Sequence, residues 1–291
     1  MKFNQILSGL LVLFVFASCA TSKLAEEGNA AYQTGDYIAA LNAWEQVISD
    51  KESRGQTADT SIYFKAGKAA MELGNTAKAR TYLEKAEDMQ YEDPAMYASL
   101  AHIYKGIDNL SLEIEALENY HEKFPNGKVA DTINVRLFQT YVESENWQKA
   151  VNLWPEIEEK AASDADLLTG YLIVNEQLEN DNKCDQLAQQ ILKLDPDNIE
   201  ALEWQAYKFY WKAENLYVSQ MKAYQKNRTN RQYKKLLKAW DKIWPDFRKA
   251  RSYFLKLYKL DPKPKYAKYL AGIYTRMKKE QKAAYWERRA N

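Results

Sequence analysis

Side chains able to do chemistry are few in this chain. Two cysteines, Cys19 and Cys184, and two histidines, His102 and His121, are the residue types best suited to nucleophilic, redox or metal chemistry. The histidines fall in no His-Glu-x-x-His run and share no other metal-ligand spacing. No Cys-x-x-Cys pair, glycine-rich phosphate loop or serine nucleophile elbow stands beside them. Carboxylates are plentiful, with 40 Asp and Glu, but they alternate with 41 Lys and Arg as a solvated helix face does. No catalytic residue, metal or cofactor is therefore expected.

The elements that carry these residues are helical in character. Only 10 Gly and 7 Pro stand against 8 Trp and 21 Tyr, and no stretch alternates long enough for a sheet. An apolar content of 46% is enough for a packed interior, and 291 residues make two ordinary domains or one repeat array. The N-terminus differs from the rest. Lys2 precedes an almost uninterrupted apolar run from Ile6 to Phe16, too short to span a bilayer but right for a signal-peptide core. It closes on Phe16-Ala17-Ser18-Cys19, where small residues admit a peptidase and a Cys follows at once.

That segment resembles the lipobox of bacterial lipoproteins, with Phe16 where Leu is usual. The resemblance implies a signal peptide over 1–18 and a thioether-linked diacylglycerol on Cys19, with palmitate-like chains anchoring the protein to a membrane. An ordinary signal peptide with an incidental Cys, or a retained anchor, is the alternative. Ala20 replaces the Asp that retains lipoproteins at the inner membrane, which implies the outer membrane. Residues 20–23 hold no acidic export signal, which favours the periplasmic face, with the cell surface as the alternative. With Cys19 lipidated, Cys184 has no disulfide partner.

A second pattern recurs through the remainder. Gly28, Tyr32, Gly35-Asp36-Tyr37, Ala40 and Trp44 are echoed by Gly67, Gly74-Asn75, Ala79 and Leu83, and then by Ala101, Asp108-Asn109, Leu117 and Pro125. The spacing resembles the tetratricopeptide repeat, a helix–turn–helix of 34 residues. Repeats then begin near residues 21, 60, 94, 131, 165, 199 and 264. The resemblance implies an all-α fold, a tetratricopeptide-type superhelix of helical hairpins (an α-solenoid) with one extended hairpin. Position 20 of the repeat is Ala40, Ala79, Ala150, Ala250 and Ala283, with Glu113 and Cys184 as exceptions. Positions 8 and 20 are expected to meet where the two helices cross. At such a site Cys184 packs as a compact apolar residue. The turn of the fifth repeat, somewhere in Glu179–Lys183, is the least defined.

The sixth repeat is about thirty residues too long. Tyr207, Tyr210, Trp211, Tyr217, Met221 and Tyr224 form one helical stripe, and Tyr233 to Tyr258 carries another, with the turn signal Asn227-Arg228-Thr229-Asn230 between them. Both helices are expected to lengthen into a hairpin over about 213–244. Each arm then projects roughly 20 Å, with a kink or restart at Pro245 and the aromatics packing between the arms. Charge divides at the same place. Residues 199–291 hold 24 Lys and Arg against 8 Asp and Glu, which leaves 17 against 32 in the acidic stretch before them. The chain thus reads as a signal peptide, an acidic 19–198 with repeats 1–5, and a basic 199–291 with repeats 6–7.

The family resemblance also implies a concave groove lined by Asn29, Tyr32, Gln33, Phe64, Lys68, Met71, His102, Lys105, Gln139, Val142, Tyr207, Tyr210 and Trp211. Asn29 matches one element of the carboxylate clamp of some members, but Ala25 stands where its Lys should be, so the clamp is not supported. The basic hairpin presents Lys222, Lys226, Arg228, Arg231, Lys234, Lys235 and Lys238, which suit an anionic lipid, an acidic protein or a second copy. Nucleic acid is not expected for an exported lipoprotein. The sequence is thus expected to encode a non-catalytic adaptor that binds protein partners. A lipoprotein that captures glycans on its aromatic residues is the alternative.

Overall fold

In a computed structural model, residues 21–290 are described, as helices and connecting turns without a strand. The segment 1–18 and Cys19 lie outside the described residues. Among the described residues no helix is long and apolar enough to cross a membrane. The helices are α1 (21–33), α2 (Tyr37–Glu52), α3 (Thr60–Glu72), α4 (Thr76–Asp88), α5 (Pro94–Gly106), α6 (Leu110–Lys123), α7 (Ala130–Glu143), α8 (Trp147–Ala161), α9 (Ala165–Gln177), α10 (Asp181–Leu194), α11 (Ile199–Lys226), α12 (Asn230–Leu260), α13 (Pro264–Arg276) and α14 (Glu280–Ala290). They follow one another as helix–turn–helix repeats, a repeat fold of the solenoid type. By internal contacts the chain divides into two compact units, Met1–Thr140 and Tyr141–Asn291.

One turn chemistry joins the two helices of six hairpins. Gly35, Gly74, Asp108, Glu145, Glu179 and Lys278 all take positive φ. The residue after each donates its N–H to the carbonyl five positions back, as Asp36 does to Ala31 at 2.9 Å and Asn180 to Asn175 at 2.8 Å. This is the Schellman end of the first helix. In the first three hairpins the same residue also caps the second helix with its side chain: Asp36 accepts from the Ala39 N–H at 3.0 Å, Asn75 from the Lys78 N–H at 3.2 Å and Asn109 from the Leu112 N–H at 3.2 Å. The turn of the fifth repeat is therefore Glu179-Asn180, at the near edge of its expected range.

Small residues let the helices close. Ala40, Ala79, Ala150, Cys184 and Ala250 have no exposed surface. In the fifth hairpin positions 20 and 8 do meet, with Cys184 Sγ 3.9 Å from the Leu172 carbonyl. In the first two hairpins the space over the position-8 glycine is filled by position 24 instead. A Cβ on Gly28 would lie 2.6 Å from Trp44 Nε1, and one on Gly67 2.7 Å from the Leu83 side chain. Phe138, which takes the place of the small residue in the fourth hairpin, is itself buried.

The second unit contains the long hairpin. Its arms, α11 and α12, run 28 and 31 residues. Their aromatics pack between the arms: Tyr217 on Trp240 at 5.2 Å, Tyr224 on Tyr233 at 5.8 Å and Tyr207 on Phe254 at 5.5 Å. Of the kink or restart expected at Pro245, the restart does not occur, and α12 continues through it from Asn230 to Leu260. The flanking packing holds the helix together there. Trp244 stacks on Trp240 at 4.6 Å, and Ile243 and Phe247 are fully buried. At the base of the arms Arg276 of α13 grips Glu214 through two N–H···O contacts, 3.0 and 2.5 Å, and lies 4.6 Å over the Tyr217 ring.

Candidate functional site

Three clefts and one charged tip collect most of the residues singled out above. In the first unit, α1 contributes Asn29, Tyr32 and Gln33, and α3 contributes Phe64 and Lys68, to one cleft of about 430 Å³. Helical spacing explains the convergence, because residues three and four apart share a face. Lys65 and the Trp44 ring complete the lining. Lys68 Nζ lies 5.6 Å over both the Tyr32 and the Phe64 rings. Tyr32 packs edge-on against Tyr37 at 5.2 Å, and burial pushes its hydroxyl pKa up, with Glu72 adding to the rise. Among the described residues no carboxylate lines this cleft. Met71 is outside it.

A second cleft of the first unit, about 340 Å³, gathers His102 and Lys105 of α5 with Gln139 of α7. One wall is an ion pair that sequence reasoning missed. Glu113, 3% exposed, receives Arg136 Nε at 2.6 Å and Nη2 at 2.9 Å. A carboxylate where five repeats place alanine was the available signal, since a buried charge needs a partner.

In the second unit Tyr207 and Trp211 wall a cleft of about 350 Å³ whose other residues are Glu176, Asp181, Asp185, Trp204 and Lys208. Trp204 Nε1–H donates to Asp185 at 2.9 Å, and Lys208 pairs with the same carboxylate at 2.5 Å. Burial, then Glu203, raises the Glu176 pKa. Trp211 is 49% exposed. Tyr210 is not part of this wall. It packs inward on Tyr269 at 4.7 Å and Phe247 at 6.0 Å, and burial, then Glu214, raises its hydroxyl pKa. Tyr210 therefore belongs to the packing of α11 against α12 and α13. Val142 lines none of these clefts.

Lys222, Lys226, Arg228, Arg231, Lys234, Lys235 and Lys238 are all exposed at the far end of the hairpin. Four of them border a shallow depression of about 390 Å³ with Asn230. Among the described residues no three metal-ligating side chains converge. Cys184 is fully buried, and burial, then Glu176, Asp181 and Asp185, pushes its thiol up to about 12.

Residues 60–93 match the tetratricopeptide repeat family, over the same bounds that the spacing marks for the second repeat. No curated protein matches the sequence. Solved structures share the fold. A candidate protein-binding protein from Bacteroides ovatus is 19% identical, with a TM-score of 0.50 over 80% of this chain and 100% of that one. The C-terminal part of a TPR repeat-containing protein from Cytophaga hutchinsonii is 14% identical, with a TM-score of 0.47 over 90% and 92%. YrrB, described as a TPR protein with an unusual peptide-binding site, is 16% identical, with a TM-score of 0.47 over 62% and 89%.

Proposed function

We propose that this protein is a non-catalytic scaffold that holds segments of other proteins in its helical-repeat clefts. The observation that carries the reading is the first cleft. Five side chains from two helices, Asn29, Tyr32, Gln33, Phe64 and Lys68, converge there on one concave surface. Rigid aromatic rings beside a cation suit an extended peptide, since they bury area at little entropic cost. The basic hairpin is a second partner surface.

In this reading the protein is a lipoprotein held through acylated Cys19 at the periplasmic face of the outer membrane. The motif around Cys19 supports that placement, and mass spectrometry of the mature N-terminus tests it. An unmodified Cys19 would remove the anchor from the account.

Capture of crosslinked partners by the intact protein and by a Phe64→Ala/Lys68→Glu variant tests the scaffold. Partners recovered by the parent and lost by the variant are expected. The same partners from both would refute the cleft reading. A second reading, glycan capture, is favoured by half-exposed Trp211 beside the carboxylates of the third cleft. A glycan-array signal abolished by Trp211→Ala would replace the first reading with this one.

A further inference from the structure

We propose that the tip of the α11–α12 hairpin docks on an anionic bilayer surface. This names the partner of the hairpin surface introduced above and is independent of the clefts. Between residues 215 and 240 the sequence holds seven Lys and Arg and no Asp or Glu. All seven cations are exposed, and none has a carboxylate within 4.0 Å among the described residues. The base of the same hairpin is built differently. There Lys208 pairs with Asp185 at 2.5 Å, Lys212 with Asp246 at 3.1 Å and Lys256 with Asp197 at 2.9 Å. Three cations near the base are thus neutralised by carboxylates and none at the tip is, although Arg248, Lys249 and Lys259 lower on α12 also carry no ion pair among the described residues. Seven uncompensated like charges repel one another in the folded state, so an external anion relieves the strain they impose.

The arrangement favours a lipid surface over an acidic protein. On α12 the exposed residues Arg231, Lys234, Lys235, Lys238 and Lys242 recur at intervals of three and four, which makes one stripe. Its opposite side holds buried Leu236, Ile243 and Phe247. At 1.5 Å per residue the stripe is about 16 Å long, an extended face with only the shallow depression between its charges. Val218, Tyr233 and Leu237, each nearly half exposed, stand beside the charges. Lysines with aliphatic and aromatic neighbours are the composition of surfaces that rest in the headgroup region. Five of the seven tip cations are Lys, whose point charge suits mobile headgroups, whereas fixed carboxylates are better matched by the planar fork of Arg.

The test uses the full chain on vesicles, with a fluorophore on Asn227→Cys at the turn and a quencher carried by the lipid. The parent chain, labelled alike, supplies the background from Cys19, since Cys184 is fully buried. Quenching on vesicles containing phosphatidylglycerol is expected to exceed that on phosphatidylcholine alone by about tenfold, because each basic residue near an anionic surface multiplies binding. It should fall to the neutral-vesicle level at about 1 M salt, where screening acts within about 3 Å, and in a K234Q/K235Q/K238Q variant. A K259Q/K268Q/K278Q variant, neutralised elsewhere in the same unit, should keep it, with circular dichroism showing both variants folded. Equal quenching on both vesicle types, or none on either, overturns the proposal. Stronger protection of the label by dissolved polyglutamate than by anionic vesicles would also overturn it and assign the tip to an acidic protein. The signal arises at the tip alone, so failure of the cleft variant to lose partners leaves this result unaffected, and the reverse holds.

Discussion

Glu113 is the residue whose identity departs furthest from the repeat pattern, and its burial makes it a point of leverage. Its side chain is 4% exposed and that of its partner Arg136 20%. Arg136→Ala would leave the carboxylate buried without its two charge-assisted bonds. It is expected to cost about 3 kcal/mol, the low end for breaking a buried pair because Arg136 is partly solvated; chemical denaturation reads this directly. Restoring alanine at 113 in the same chain should recover most of the loss, because Glu113→Ala/Arg136→Ala strands no charge. Cys184 makes a second prediction. Burial raises its thiol to about 12, whereas an unfolded cysteine ionises near about 8.5. The folded state favours the neutral thiol, so its contribution is fully present below about pH 8.5 and is lost as pH rises from there toward about 12. Alkylation at pH 8 should therefore modify Cys184 only after denaturant is added, as mass spectrometry would show; rapid labelling of native protein would contradict it. The residue scale also shows where sequence stopped being legible. Ala40 and Cys184 could be placed because the repeat requires a small side chain there. The partner of Glu113 could not, because Arg136 lies on the next hairpin, 23 residues away. Tyr210 was misplaced for a related reason. Repeat spacing puts it on the groove stripe, but the lengthened α12 and α13 supply Phe247 and Tyr269 to pack against it.

Elements are governed by turns and by what their faces cover. The intra-hairpin turn demands positive φ at one position, and Gly35 supplies it without strain at φ 81°. Glu179 adopts φ 57° with a β-carbon present, a conformation that costs about 1 kcal/mol for an ordinary residue. Glu179→Gly is thus expected to raise stability by up to about 1 kcal/mol, less the added freedom of the unfolded chain. Gly35→Ala should lower it by a similar amount, although no atom lies within 4 Å of the added carbon; thermal melts distinguish the two signs. This explains why Gly35-Asp36 was readable in sequence and Glu179-Asn180 was not, since the fold accepts strain where the pattern shows no glycine. The long hairpin divides by the same reasoning. Glu214 and Ile243 belong to the packed base, with Glu214 held by Arg276, while beyond Tyr217 and Trp240 the arms cover mainly each other. Replacing residues 218–239 by a short turn should leave the remainder folded with little change in melting temperature. Replacing 213–244 removes Glu214 and Ile243, strands the Arg276 guanidinium and should destabilise the second unit by several degrees. Equal behaviour of the two deletions would show that the arms do not divide at that level.

For the molecule as a whole, the first cleft carries the opposite sign to the segment that supplies it. Residues 1–198 are strongly acidic, yet the first cleft is lined by Lys65 and Lys68 without a carboxylate. The cleft walled by Trp211 lies across the charge divide: Glu176, Asp181 and Asp185 come from the acidic segment, and Trp204, Tyr207, Lys208 and Trp211 from the basic one. Net charge by segment was readable from sequence; its sorting onto cleft and outer faces was not, because that depends on which side of each helix the packing buries. If the clefts select partners, their preferences should follow the lining and not the segment. In a peptide-library selection the first cleft should enrich acidic sequences with an aromatic or aliphatic anchor, and Lys65→Glu/Lys68→Glu should reverse the charge preference. The third cleft should enrich basic sequences, with Glu176→Lys/Asp181→Lys reversing it. Both preferences should weaken with salt, since exposed charges are screened over about 8 Å at physiological ionic strength. Selection that instead tracked net segment charge, with basic peptides collected by the intact first cleft, would show that the outer faces attract partners and that the clefts play no part in choosing them.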